Sequence, residues 1–161
     1  MNVLTRVCCV FFRRTASFSP VPYPFGASGM TWQKVLRHSF ILWVLWLGIA
    51  ALHGESYVER LSVQGAWTFG LLLRVLGAAF WEEALFRGLL FPAFSRVLPL
   101  GLALGLQAFL FAGLHDWNGA SLMFQWAFFA GLYLGFLAFR QGSWGLGMCC
   151  HAVMNVLSLV S

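Results

Sequence analysis

The 161 residues are 60% hydrophobic and only 9% charged, with a mean hydropathy of +0.79. A soluble domain carries about 25% charged residues, so this chain cannot cover itself with a solvated face, and its length allows one domain of several helices. The net charge of +5 does not indicate a nucleic-acid binder, because the basic residues lie singly among apolar runs. Arg6, Arg13, Arg14, Lys34 and Arg37 come before or at the start of the first long run, the arrangement of positive-inside topology.

Residues 1–29 contain Arg6, Arg13 and Arg14, no acid, and the stretch Pro20-Val21-Pro22-Tyr23-Pro24. They read as a flexible basic tail, a targeting segment or a mis-assigned start ahead of Met30, and the folded domain is expected over 30–161. The apolar segments that follow have about the roughly 20 residues a bilayer crossing needs. The first runs from about Val35 to Leu52, flanked by His38 and His53, which read as interfacial residues. The second, from about Ala66 to Leu98, is too long for a simple span and is expected to tilt or to break near Gly88 and Pro92. The third runs from Pro99 to His115 and closes on Asp116-Trp117-Asn118-Gly119, where Asn-Gly marks a tight turn. The fourth, Ser121 to Phe139, carries Gly131 and Gly135 with three residues between them, a face on which helices pack closely. The fifth begins after Gln141-Gly142-Ser143. No segment alternates as a membrane barrel strand would. The expected fold is an all-α, polytopic membrane helix bundle of about five transmembrane segments.

The four cysteines form two adjacent pairs, Cys8-Cys9 and Cys149-Cys150, without the spacing of a zinc site or a disulfide framework. The informative residues are charges inside apolar helices. Glu82, Glu83 and Arg87 each cost about 2.5–3.5 kcal/mol at a helix centre, so they should face the bundle interior and carry function. Glu83 and Arg87 are four apart and share a face, which suits an ion pair and leaves Glu82, about 100° away, for chemistry. His115 ends the third segment beside a turn that should be wet. His151 stands one helical turn before Asn155, so both face the same way. A glutamate, two histidines and an asparagine on three segments supply a general base, a partner that orients water, and oxyanion donors. A bundle pinned by buried charges without catalysis (a scaffold or immunity protein) and a Glu82–Arg87–His115 proton path are the alternatives, and the proton path gives no reason for His151 and Asn155 one turn apart.

Glu82-Glu83-Ala84-Leu85-Phe86-Arg87 resembles the EExxxR motif of the CPBP intramembrane proteases (the Abi family), the group that includes the type II CAAX prenyl endopeptidases. Phe111 to His115 resembles the family's FxxxH motif and His151 to Asn155 its HxxxN motif, in the same order. The resemblance implies an integral, multi-pass endopeptidase, with a bacterial inner membrane the expected location. It would cut a membrane-associated protein or peptide near its membrane-proximal or C-terminal part, in CAAX-type or sorting and maturation processing. Glu82 and His115 would activate a water, His151 and Asn155 would stabilise the oxyanion, and Glu83 and Arg87 would support the site. No cofactor is required on this reading. If the reaction uses a divalent metal such as zinc, Glu82, His115 and His151 are the expected ligands. The expected partners are the lipid bilayer and the protein substrate, with no nucleic acid. The chain is shorter than the larger members, and a homodimer would close a site left open on one side.

Overall fold

Helix α1 (Trp32–Leu52) starts where Thr31 is still extended and its hydroxyl accepts the Lys34 backbone N–H at 3.3 Å, a side-chain cap for one of the free donors of the first turn. The computed structural model of the chain describes residues 25–26, 30–53 and 69–158, and every regular element among them is helical. The elements that follow are α2 (Phe69–Glu83), a π-helical segment (Ala84–Leu90), α3 (Phe91–Ser95), α4 (Leu100–His115), α5 (Leu122–Gln141) and α6 (Gly145–Ser158). The tail expected over 1–29 lies outside the described residues, apart from Phe25 and Gly26. Phe25 packs on Trp144, and the Gly26 carbonyl accepts from Ser143 Oγ at 3.1 Å.

The second apolar stretch does not break near Gly88 and Pro92. Helical backbone angles continue through Glu83, Leu90 and Phe91, and the turns between widen until the Phe91 N–H bonds the Phe86 carbonyl, five residues back. Pro92 has no N–H to give, so the helical ladder lacks one bond where the widened turns run into α3. A π-helical segment inside an α-helix is rare and is often found at functional sites.

Pro99 in extended geometry opens α4, and Ser121 caps α5 by accepting the Phe124 N–H at 3.0 Å. The chain leaves α5 through Gly142 at φ 63°, a left-handed turn that a side chain would strain. Among the described residues, α1 and α5 are long and apolar enough to cross a membrane, while α4 and α6 are shorter apolar helices.

Helix α5 is central. Its most extensive contact is with α4, and it also meets α1, α6 and the π-helical segment. The α4–α5 seam is close because Gly131 has no side chain: a Cβ there would stand 3.1 Å from Ala108 Cα. Three apolar clusters fill the bundle. Val35, Leu42, Leu134, Leu137, Leu146 and Cys150 join α1, α5 and α6. Phe86, Phe111, Ala112 and Ala127 join the π-helical segment to α4 and α5. Phe91, Leu100, Ala103 and Leu104 join α3 to α4, with Leu98 and Phe139 packed against them. The charges at the bundle ends segregate. The end of α5 with Arg140 packs near the α3–α4 turn that holds Arg96, whereas His53 reaches Gln125 at the opposite end, where α4 finishes at Asp116.

Candidate active site

The two adjacent glutamates of α2 part company as the helix turn requires. Glu83 points inward and is fully buried, while the Glu82 side chain is 21% exposed. Arg87, also fully buried, donates from Nη1 to Glu83 Oε1 at 2.8 Å, and its Nη2 donates to the Gly131 carbonyl at 3.3 Å. Its guanidinium lies 4.2 Å from the Phe111 ring centroid, a cation over an aromatic face. Glu83 Oε1 also meets His151 Nδ1 at 2.9 Å, so α6 is tied to α2 through the same oxygen. The seam between them needs Gly147, where a Cβ would come within 3.2 Å of Glu83 Oε2.

Both histidine rings are fixed by the nitrogen that faces away from Glu82. His115 Nδ1 lies 2.9 Å from the Phe111 carbonyl, which can only accept, so Nδ1 carries the proton and Nε2 of the neutral ring presents a lone pair. His151 Nδ1 faces the Glu83 carboxylate, so it too carries a proton. Both Nε2 atoms then converge on one carboxylate oxygen: Glu82 Oε2 is 3.8 Å from His115 Nε2 and 3.7 Å from His151 Nε2. That oxygen is buried and has no hydrogen-bond partner. Phe111 is the common floor, with ring centroids 4.7 Å from His115 and 5.7 Å from His151.

A cavity of about 270 Å³ opens beside the group. His115, His151 and Asn155 line it together with the apolar side chains of Leu42, Trp43, Trp46, Met123 and Trp126. The four residues singled out by motif, Glu82, His115, His151 and Asn155, therefore share one neighbourhood built from α2, α4 and α6. Two further participants carry no charge to announce them. Phe111 floors the site, and Gln107, fully buried, donates to the Gly131 carbonyl at 2.8 Å, the same oxygen that receives Arg87. Gln107 is the one polar side chain between Leu100 and Leu114, and that isolation is the sequence signal that marks it.

Other polar residues lie elsewhere. His38 is not at a helix flank but within α1, bonding Tyr133 through Nδ1 at 2.6 Å. Arg74 is exposed on α2. Cys150 is buried with Sγ 3.7 Å from the Val35 carbonyl, and Cys149 is half-buried.

Glu82, His115 and His151 have donors suited to a divalent ion, and both rings have Nδ1 tied back in the way metal-binding histidines do. As placed, they stand wider apart than the donors of one tetrahedral ion. Donors on a tetrahedral ion with bonds of about 2.0 Å stand about 3.3 Å apart. The two Glu82–histidine separations are 3.8 and 3.7 Å, and among the described residues no three His, Cys, Asp or Glu side chains gather as a metal-holding group.

A family model described as Type II CAAX prenyl endopeptidase Rce1-like matches residues 37–157, about three quarters of the chain. No curated protein and no solved structure matches it.

Proposed function

Because the chain belongs to the Rce1-like type II CAAX prenyl endopeptidases, and is therefore a membrane protease, we propose that Glu82, His115, His151 and Asn155 hydrolyse a peptide bond within the bilayer. One observation carries the reading. A buried carboxylate oxygen without a partner faces Nε2 of two imidazoles whose other nitrogens are already committed.

The chemistry follows from those commitments. Glu82 Oε2 and His115 Nε2 are both acceptors, and at 3.8 Å they are too far apart to bond each other. A water placed between them donates one hydrogen to each and keeps a lone pair for attack on the scissile carbonyl carbon. Glu82 takes the water proton as the new C–O bond forms, and the carbonyl π electrons move to the oxygen. His151 already donates Nδ1–H to Glu83, so it can donate Nε2–H to that oxyanion only as the imidazolium. In that state Glu82, Glu83, Arg87 and His151 sum to zero charge, which suits a low-dielectric interior. Asn155, one turn further on α6, supplies an amide N–H to the same oxyanion. Collapse of the tetrahedral intermediate breaks the C–N bond, and the proton held by Glu82 passes to the departing amine. No step runs through a metal.

The cavity beside the histidines is walled by tryptophan, leucine and methionine, which suits an apolar segment of a membrane-associated substrate. We place the cut near the membrane-proximal or C-terminal part of that substrate. The catalytic domain spans residues 30–161 and crosses a bacterial inner membrane several times, with the charged bundle ends at its two faces.

The test compares the termini of membrane and exported proteins, by mass spectrometry, in cells carrying wild type or Glu82→Gln at matched expression. A small set of proteins should keep an uncut segment only in the variant, and the cut sites would name the substrate. Coincident termini profiles with the variant correctly inserted would sink the catalytic reading. Cleavage by purified protein with and without a strong chelator tests the metal-free step, and the rate should not change.

A further inference from the structure

Gln107 is fully buried in the middle of α4, where leucine, alanine, glycine and phenylalanine otherwise fill the helix. A buried amide costs free energy unless its hydrogen bonds are made, so packing alone gives no reason for it. Its Nε2 donates to the Gly131 carbonyl at 2.8 Å and to the Leu104 carbonyl at 3.2 Å. The Gly131 carbonyl is also the anchor for Arg87 Nη2 at 3.3 Å. Two glycines of α5 make this possible. Gly131 lets the α4 backbone come close, and a Cβ on Gly135 would stand 2.5 Å from Gln107 Nε2, in the space the amide occupies.

Arg87 is held at three points: the Gly131 carbonyl, Glu83 Oε1, and the face of Phe111, which stands one turn beyond Gln107 on the same helix. A continuous path therefore runs from the Gln107 amide to the Gly131 carbonyl, to Arg87, to Glu83 and to His151 Nδ1, ending 3.7 Å from Glu82 at His151 Nε2. We propose that Gln107 is a positioning residue. By fixing the Gly131 carbonyl and the α4–α5 seam it sets the place of Arg87, through Arg87 that of Glu83, and through Glu83 the orientation of the His151 ring. The inference rests on the catalytic reading of that ring, and it also has a consequence independent of turnover. His151 keeps its Nδ1–H bond to Glu83 only while the path behind it is intact.

The experiment uses the full chain in nanodiscs, labelled with ¹⁵N in its histidines. Wild type is compared with Gln107→Met, which keeps the length and removes the donor, and with Gln107→Asn, which keeps the amide but draws it back from the Gly131 carbonyl. The His151 Nδ1–H resonance is assigned by its loss in His151→Gln. The substrate is the protein whose termini change in the Glu82→Gln comparison. Both Gln107 variants should shift or broaden that resonance. They should also lower kcat on the order of tenfold, short of the ~10²-fold that a 1 Å misplacement costs, with KM unchanged. Should Gln107→Met fail to insert, Gln107→Asn decides alone, since it leaves a polar group of smaller size in the same place. An unmoved resonance with wild-type kcat in a folded variant overturns the proposal, and so does a change confined to KM. The two levels separate cleanly. A resonance that moves while Glu82→Gln still cleaves preserves the positioning claim and removes the catalytic one. An unmoved resonance with an inactive Glu82→Gln does the reverse.

Discussion

Glu82 and Glu83 are consecutive on one helix, yet one is partly exposed with an unpartnered oxygen and the other is fully buried with Arg87 and His151 on a single oxygen. On the Glu83 side Oε1 takes both Arg87 and His151, while Oε2, buried like Glu82 Oε2, has no hydrogen-bond partner. The Glu82 side is open. It faces two imidazoles at 3.8 and 3.7 Å, and those imidazoles line a cavity of about 270 Å³. A carboxylate gripped through one oxygen by a guanidinium and an imidazole is held in place, whereas Glu82 is too far from either histidine to be held by a hydrogen bond. On the proposed mechanism, holding falls to one carboxylate and chemistry to its neighbour, and the helix turn separates the two tasks.

Neutralising one charge on each side breaks the comparison most sharply. Glu82→Gln keeps the volume and removes the base, so cleavage should fall about 10²–10⁴-fold while the melting temperature stays close to wild type. Activity on the identified substrate and thermal unfolding in the same detergent measure the two arms. Arg87→Met should show the opposite weighting. It strands Glu83 as a buried charge, with an expected stability loss of about 3–5 kcal/mol, read as a lowered melting temperature or failure to insert. Two variants with equal stability losses would mean that both glutamates are structural.

A smaller effect sharpens the same contrast from the holding side. Gly135→Ala would put a Cβ 2.5 Å from Gln107 Nε2 and 3.0 Å from Leu104 Cδ2, in a seam where Gln107 is fully buried. Overpacking of this kind costs about 1–3 kcal/mol and should be visible as a lowered unfolding midpoint. Gly101 and Gly105 on α4 have nothing within 4 Å of a Cβ, so the same substitution at Gly105 is the control and should leave the midpoint unchanged or raised.

Much of this division is readable in the amino acids. Glu83 and Arg87 are four apart, so their pairing needs only helix geometry, and the seam glycines Gly131 and Gly135 stand out by spacing. His151 and Asn155 announce a shared face for the same reason. The bond from His151 to Glu83 does not, because it crosses from α6 to α2 and depends on how those helices pack. Gln107 carries no charge and no local partner, and its role exists only once the Gly131 carbonyl is placed beside it. The π-helical segment was not legible either. Gly88 and Pro92 read as breakers, but Gly88 receives Trp144, with a Cβ there 3.0 Å from its Nε1, and Pro92 falls just after the π-helical turns. Tertiary packing keeps the rod continuous where local propensity favours a break.

Asp116 is the remaining described carboxylate and gives the solvated extreme of the comparison. It sits just past α4 beside His115, in the turn that leads to α5. Its Oδ1 accepts the Asn118 backbone N–H at 2.9 Å, and that bond, helped by the Ser121 hydroxyl, holds its carboxyl below the usual aspartate value. Hydrogen bonds to the charged form favour it, so the native state binds its proton later than the unfolded chain does. The sign follows. The contribution is present above the unfolded pKa, about 3.9, and is lost as pH falls through the lower native value. Asp116→Asn keeps an oxygen for the Asn118 N–H and removes the titration. At neutral pH the variant should melt slightly below wild type, and below about pH 4 the difference should shrink towards zero. The effect should be the smallest of the set, because the side chain is only partly buried in a surface turn and water competes for it. Melting both proteins across that pH range measures it. A difference that persists unchanged into acid would mean that Asp116 contributes through turn geometry alone, and that the charge of this carboxylate, unlike that of Glu83, does nothing for the fold.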